Sequence, residues 1–408
     1  MELRPVLSAL RRNKVGATLI ALQIAVTLAI LSNAIYVVQQ RLALVARPSG
    51  VDEADVFTIE NDWIGKGTGA RVQGDLDALR AIPGVTSAFA SNMEPLNDGG
   101  MTLGITLHPA DQNSILVAGT YLGDQNALRT FGSRLAAGRD FNRSDVRDVD
   151  NLAQERPPLS GILVTRDLAD KLAPGGEVLG RLASIFPFSL QAPIIGIIDR
   201  LQVPFVNAPA NGAGSFVEDS MILPYRPIGT FAYYIVRVRH GMLGQAMQAA
   251  PAALAAVSRQ RVIGKVRSLT EARREIYHGD RTLALMLALV CTVLVAVTAF
   301  GIVGLTSYWV SQRRRQIGIR RALGATRYGI VRYFQTENVL ITSGGILLGI
   351  AMAIGGNLWM VDRFATGRLP GAYLMTGIVS VLLLGQFAVL WPALRAASVA
   401  PATAMRTL

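Results

Sequence analysis

The segment SQRRRQIGIRRALGATRYGIVR, residues 311–332, holds seven arginines, at 313, 314, 315, 320, 321, 327 and 332, and no acidic residue. It is wedged between two long apolar runs, 283–310 and 339–361, and two more such runs lie at 15–38 and 373–390. At about 1.5 Å of rise per helical residue, runs of this length cross a hydrocarbon core of about 30 Å. The chain of 408 residues is 51% apolar and 17% charged, too oily for an ordinary soluble enzyme, in which about a quarter of the residues are charged. The expected fold class is a membrane protein of four transmembrane α-helices, with a large α+β domain outside the membrane between the first and second.

Lys and Arg collect in short loops on the cytoplasmic side. Residues 1–14, 311–332 and 392–408 carry +3, +7 and +2, which is the whole formal charge of +12. All three segments therefore belong on the cytoplasmic side, a parity that four spans satisfy, and 39–280 belongs across the membrane. Arginines at membrane edges speak for lipid contact rather than nucleic-acid binding. The lone cysteine, Cys291, falls within the second run, so the outer domain is expected to hold together by burial without disulfides.

In chain order, residues 1–14 read as an interfacial amphipathic helix, with Leu3, Val6, Leu7 and Leu10 at helical spacing among Arg4, Arg11, Arg12 and Lys14. It feeds transmembrane helix 15–38. Ser32-Asn33-Ala34 has the form of a signal-peptidase site, but the apolar run is long for a cleaved signal. From 39 to 280 the texture changes to short alternating segments broken by Gly, Pro, Asn and Asp. Strands are expected at 56–60, 101–107, 162–165, 193–198, 220–224 and 233–239, and helices at 75–81, 124–130, 166–172, 242–259 and 269–277. Residues 121–228 read as an insertion. The segments 39–47 and 269–281 continue the first two spans outward and together suggest a stalk. In the spans, Gly301 and Gly304, and the GxxxG pair Gly345 and Gly349, are candidate helix-packing positions, serving either a subunit interface or packing within the chain.

No catalytic constellation is visible. His108, His240 and His278 are scattered, with no partners at metal-ligand spacing, and neither a phosphate-binding G-x-x-x-x-G-K-[ST] nor a G-x-S-x-G occurs. Asp98-Gly99-Gly100 reads as a turn, and Trp63 as a core or interface aromatic. No Asp, Glu, Lys or Arg lies in the central part of a span, which argues against an ion-coupled carrier. Glu337 and Asp362 are expected at span ends, within reach of water or partners. In the basic segment, 313–323 is helix-compatible, Gly324 supplies a left-handed stop and Thr326 a cap for a helix from Arg327. Ile319, Ala322 and Leu323 form an apolar edge, for lipid or for a partner's groove.

These residues resemble the permeases of the MacB/FtsX, or mechanotransmission, type of ABC transporter. The resemblance rests on RRRQIGIRRALGA (313–325), on Phe334 and Glu337 in FQTENVL, and on PALRAA (392–397) and PATAMR (401–406) near the C-terminus. Outer-domain motifs LAAGRDF (135–141), ILVTRDLADKL (162–172), PIIGIID (193–199) and YIVRVR (234–239) add to it. It implies a bacterial inner-membrane protein with cytoplasmic termini and a two-lobed MacB-like periplasmic domain with stalks (39–280). It further implies an FtsX-like domain (281–408) with transmembrane helices 283–310, 332–361 and 373–391 and a cytoplasmic loop at 311–331.

The implied function is export or efflux driven by a separate ABC ATPase dimer, which binds the ATP and Mg, so that this chain has no cofactor or catalytic site of its own. The implied partners are a second permease copy or a paralogue, a membrane-fusion protein, an outer-membrane channel and lipid. The residues that the resemblance places at the ATPase are Arg313, Arg314, Arg315, Gln316, Ile317, Gly318, Ile319, Arg320, Arg321, Leu323, Gly324 and Ala325. Gln316 stands where the family usually has Glu, which points to altered ATPase contacts or to a heterodimer whose other permease keeps the acid. Alternatives of the same class are an FtsX-like activator of a periplasmic hydrolase and a lipoprotein-extracting permease. A membrane-anchored periplasmic enzyme is the alternative from another class.

Overall fold

A computed structural model describes residues 14–205, 216–322, 324–364 and 367–398, with backbone alone at 315, 320, 321 and 364. The expected interfacial helix at 1–14 and the C-terminal PATAMR motif fall, but for Lys14, outside the described residues. The chain divides into two compact units, Met1–Ala46 with Gly279–Leu408, and Arg47–His278.

The first helix, α1 (Lys14–Val45), has 32 residues, seven beyond the end of its apolar run. The outer unit then opens with β1 (Val56–Trp63), α2 (Gly69–Arg80), β2 (Val85–Ser91), β3 (Thr102–Thr106), β4 (Leu116–Leu122) and α3 (Ala127–Phe131). Next come β5 (Leu135–Gly138), β6 (Arg147–Val149), β7 (Ile162–Thr165), α4 (Arg166–Leu172), β8 (Leu182–Phe186) and β9 (Leu190–Ile198). The unit ends with β10 (Ser220–Leu223), β11 (Tyr225–Pro227), β12 (Phe231–Val238), α5 (Leu243–Val257), β13 (Arg261–Ser268) and α6 (Leu269–Ile276).

One lobe is an antiparallel sheet in the order β13-β1-β12-β2. Alternation along β1 and β12 puts Phe57, Ile59, Trp63, Tyr234 and Val236 in one core with Leu76 of α2 and Leu254 of α5. Beneath that core the Arg261 guanidinium donates to Asp75 at 2.6 and 2.9 Å, and the Tyr234 hydroxyl donates to the same carboxylate at 2.5 Å. Thr68 caps α2 by accepting from the Arg71 N–H. The α6 start is a capping box, Ser268 and Glu271 each accepting a backbone N–H of the other.

The other lobe contains seven strands ordered β5-β9-β7-β10-β4-β3-β8, and β9 pairs a second time, with β8. That second pairing closes a six-stranded barrel. The nine-residue β9 achieves it by bonding β8 through Leu190–Pro193 and β7 through Ile194–Ile198. Leu103, Ile105, Ile162, Val164, Ile185 and Met221 lie in its core. The segment read as an insertion at 121–228 supplies most of this lobe, but β3 and nearly all of β4 lie before it.

The remaining helices of the first-named unit are α7 (His278–Gln312), α8 (Arg314–Ala322), α9 (Arg327–Phe364) and α10 (Gly371–Ala397). With α1, three of these are long and apolar enough to cross a membrane, making four candidate spans. Each is longer than its apolar run, because the flanking polar residues keep helical backbone bonds. The helix α1 packs along both α9 and α10. A methyl group at Gly345 would stand 2.7 Å from the Ala21 carbonyl oxygen and 2.8 Å from Ile24. One at Gly349 would stand 3.0 Å from the Ala25 carbonyl oxygen. The GxxxG pair thus seats α9 on α1 within one chain. Gly301 of α7 lies against Gln23, whereas a methyl group added at Gly304 would meet nothing within 4 Å outside its own helix. Helix α7 is tied to α1 by Gln23 donating to the Val297 carbonyl at 3.0 Å, by the Thr27 and Thr298 hydroxyls at 2.7 Å, and by the Arg41–Asp280 ion pair at 2.8 Å.

Candidate functional site: the basic corner of the membrane bundle

The arginine-rich segment folds as two helices meeting at a corner. The α7 helix stops at Gln312, and a turn at Arg313 leads into α8, with the Arg313 N–H bonding Trp309 O at 3.1 Å and the Ile317 N–H bonding Arg313 O at 3.0 Å. The backbone of Gly324 has φ +94°, a left-handed conformation that glycine adopts without steric cost. The Thr326 hydroxyl then accepts the Gly329 N–H at 3.1 Å, capping the first turn of α9.

The side chains part into two sets. Ile317 and Gly318 face inward, Ile317 joining Ile330, Phe334, Trp309 and Val310 in the bundle core. Arg314, Gln316, Ile319, Ala322, Gly324 and Ala325 are exposed, as are Thr326 and Arg327. Ile319 is 47% exposed and Tyr328 74% exposed. The edge expected from Ile319, Ala322 and Leu323 is therefore turned outward at its first two members. Leu323, and the side chains of Arg315, Arg320 and Arg321, lie outside the described ones. Gln316 sits on the exposed face.

Arg313 behaves differently from its neighbours. Its guanidinium Nη1 reaches Glu337 of α9, 3.2 Å from Oε1 and 3.1 Å from Oε2. The two side chains are 14% and 3% exposed. Glu337, expected within reach of water, is instead buried against Arg313. An unpaired carboxylate at that depth would carry an ionic desolvation penalty of several kcal/mol, and the arginine at the helix break offsets it. Sequence spacing gave no hint of this, since the partners are 24 residues apart; a lone acid at the end of an apolar run was the available signal. Tyr328, exposed at the start of a basic-flanked span, has the pattern of an interfacial anchor, a signal that the charge count does not carry.

The face combines cations, an exposed aliphatic edge and an exposed tyrosine on a two-turn helix. Such a surface binds by insertion into a groove or by resting on lipid. Among the described residues no three of His, Cys, Asp and Glu are placed to share a metal ion.

Residues 288–401 match the family model described as FtsX-like permease C-terminal. The chain is 27% identical over 238 residues to the macrolide export ATP-binding/permease protein MacB of Chromobacterium violaceum, covering 56% of this chain and 33% of that protein. It is 25% identical over 345 residues to the same-named protein of Bradyrhizobium diazoefficiens, covering 81% and 48%. The chain thus spans between a third and a half of the length of these relatives. The crystal structure of the periplasmic region of MacB from Actinobacillus actinomycetemcomitans aligns over 57% of this chain and 97% of that one, at 12% identity and a TM-score of 0.33, too loosely to bear on the fold. Four apolar helices thus flank an α/β domain in sequence, the last three of them carry an FtsX-like permease C-terminal domain, and the chain as a whole is similar to the MacB-named export proteins.

Proposed function

We propose that this permease takes ATP-driven movement from an ABC ATPase at the basic corner and delivers it to the outer domain for export. The observation that carries the proposal is the exposed face of α8 and the start of α9, where Arg314, Gln316, Ile319, Ala322 and Tyr328 stand out from the bundle. Ile319 and Ala322 supply an aliphatic ridge for a groove, and the arginines supply the charge that orients the contact. On this reading the corner and both termini are cytoplasmic and residues 47–278 periplasmic. ATP and Mg stay with the ATPase, and a second permease copy or a paralogue completes the assembly. The names of the relatives make macrolides the first substrates to test.

The test is a photo-crosslinking amino acid at Ile319 or Tyr328 in the full chain, purified by affinity from its own membranes after irradiation. Covalent attachment to a protein carrying a phosphate-binding G-x-x-x-x-G-K-[ST] loop is the expected result. Attachment to lipid alone would make α8 an interfacial helix and end the proposal.

A further inference from the structure

The outward face of α8 explains how a partner is held, not how its movement leaves the helix. Helix α8 has few anchors in its own chain: among the described side chains from 314 to 322, Ile317 and Gly318 are buried, and the other described positions are exposed. At its base stands the Arg313–Glu337 pair, placed where α7 ends and α8 begins, with the acid on α9. From Glu337 the α9 helix runs on to Gly345 and Gly349, the glycines that bring its backbone against Ala21 and Ala25 of α1. One level further out, Asn33 of α1 donates to the Ala353 carbonyl of α9 at 3.1 Å. The α1 helix then continues in sequence into the outer unit.

Resting on the coupling role proposed for α8, we infer that Arg313–Glu337 is a pin that makes α9 share any displacement of α8, and that α9 hands it to α1. Glu337 is on this view a positioning residue. The reasons are physical. An ion pair at the edge of a bilayer is costly to form unless both charges are held, and a bond from the helix break to a neighbouring span fixes the break relative to that span. Without the pin, a push on α8 is absorbed by rotation about residues 312–314. With it, the push reaches a span whose glycines leave no slack against α1. Packed interfaces without slack shift as units rather than deform.

The experiment uses the full chain with Cys291→Ala, in complexes purified from its own membranes. Two readouts are taken from the same preparation: photo-crosslinking of α8 to the ATPase from position 319, and the ATP-dependent change in maleimide reactivity of Leu42→Cys. Leu42 is 50% exposed near the far end of α1. Glu337→Gln should keep the crosslink and diminish the ATP-dependent change at position 42 by about fivefold or more, the lower range of ordinary allosteric coupling. The double exchange Arg313→Glu with Glu337→Arg should restore that change, which separates a lost pin from a misfolded bundle. An unaltered response at position 42 in Glu337→Gln overturns the inference. So does a double exchange that assembles and crosslinks normally yet leaves the response lost. If the chain with native Arg313 and Glu337 gives no crosslink at 319, it is the coupling role of α8 that fails.

Discussion

Substituting alanine at Gly345 and at its neighbour Gly344 gives a direct measure of how tightly α9 is seated on α1. A methyl group at Gly345 would lie 2.7 Å from the Ala21 carbonyl oxygen and 2.8 Å from the Ile24 Cγ2. Ordinary carbon–oxygen contacts are about 3.3 Å or longer and carbon–carbon contacts about 3.5 Å or longer, so both are short by more than half an ångström. The carbonyl belongs to the helix backbone and cannot rotate away, so α1 and α9 must part. Overpacking of this kind costs about 1–3 kcal/mol. At Gly344 the added methyl meets nothing within 4 Å. Both variants gain the same small helical benefit of replacing glycine, roughly 0.5–1 kcal/mol, so it cancels between them. The expected difference is therefore the overpacking cost alone. At about 2–4 °C per kcal/mol for a unit of this size, Gly345→Ala should melt several degrees below Gly344→Ala. Cys291, the only cysteine in the chain and half-buried on α7, reports the melt through a fluorogenic maleimide on detergent-solubilised protein. Equal midpoints for the two variants would refute the seat. A Gly345→Ala protein that melts normally but dissociates from a second copy would move the glycine row to a subunit interface.

The proposed orientation predicts that, with Cys291→Ala, an impermeant maleimide labels Gln112→Cys in intact spheroplasts but Thr326→Cys only after permeabilisation; both positions are exposed, and the opposite pattern would invert the topology. In the outer unit, Arg261→Met should strand Asp75, whose carboxylate is fully buried, and removing one partner of a buried pair costs about 3–5 kcal/mol; a denaturant midpoint unchanged in the full chain would refute this. Asp145 is held down to about 2, first by the Arg139 hydrogen bond at 2.7 Å, against the effect of burial and with help from the Asn142 N–H. Its folded pKa is therefore below its unfolded value of about 4, so its stabilisation is present above pH ~4 and lost as the pH falls towards ~2. Asp145→Asn should flatten that part of the stability–pH curve, and a curve of unchanged slope would exclude the Asp145 charge as its source.

The elements visible in the sequence were those decided locally. The four apolar runs announce the spans, and strands and helices with clean alternation or capping signals lie close to where they are expected; Ile162–Thr165 and Arg166–Leu172 coincide with β7 and α4. Among the strands without an expectation, Val85–Ser91 and Arg261–Ser268 pair with strands far away in the chain, and Leu116–Leu122 is held between its neighbour β3 and the distant β10. The β13 strand reads GKVR in its middle, a poor strand by propensity, and is held by pairing with β1. The barrel is a stronger case: the apolar stretch at 193–198 reads as one strand, yet the element extends back to Leu190 and pairs on two sides in different halves. No local pattern encodes that closure, because a strand's period of two is the same whichever neighbour it finds.

At the basic corner the same division holds for charge. Net charge along the sequence marks the segment as one body of seven arginines, and the glycine at 324 and threonine at 326 mark where its helices stop and start. What the sequence does not distinguish is which arginine is structural. Arg313 and Arg314 are identical in type and adjacent, yet one is bonded to a buried acid and the other is exposed. The difference follows from where each residue falls at the helix break. Arg313 stands in the turn between α7 and α8, with its side chain on Glu337 of α9, whereas Arg314 opens α8 on its exposed side. Glu337, nearly three turns into α9 from Arg327 at about 3.6 residues per turn, selects Arg313. Once that arginine is spent inside the bundle, the exposed charge left to meet a partner begins at Arg314, and Gln316 stands among those outward residues. Gln316→Glu would lie on the exposed face and leave Arg313 to Glu337, so its effect should be confined to partner contacts: altered crosslinking from position 319, with the Cys291 melting midpoint unchanged. A shifted midpoint would mean that 316 belongs to the bundle after all.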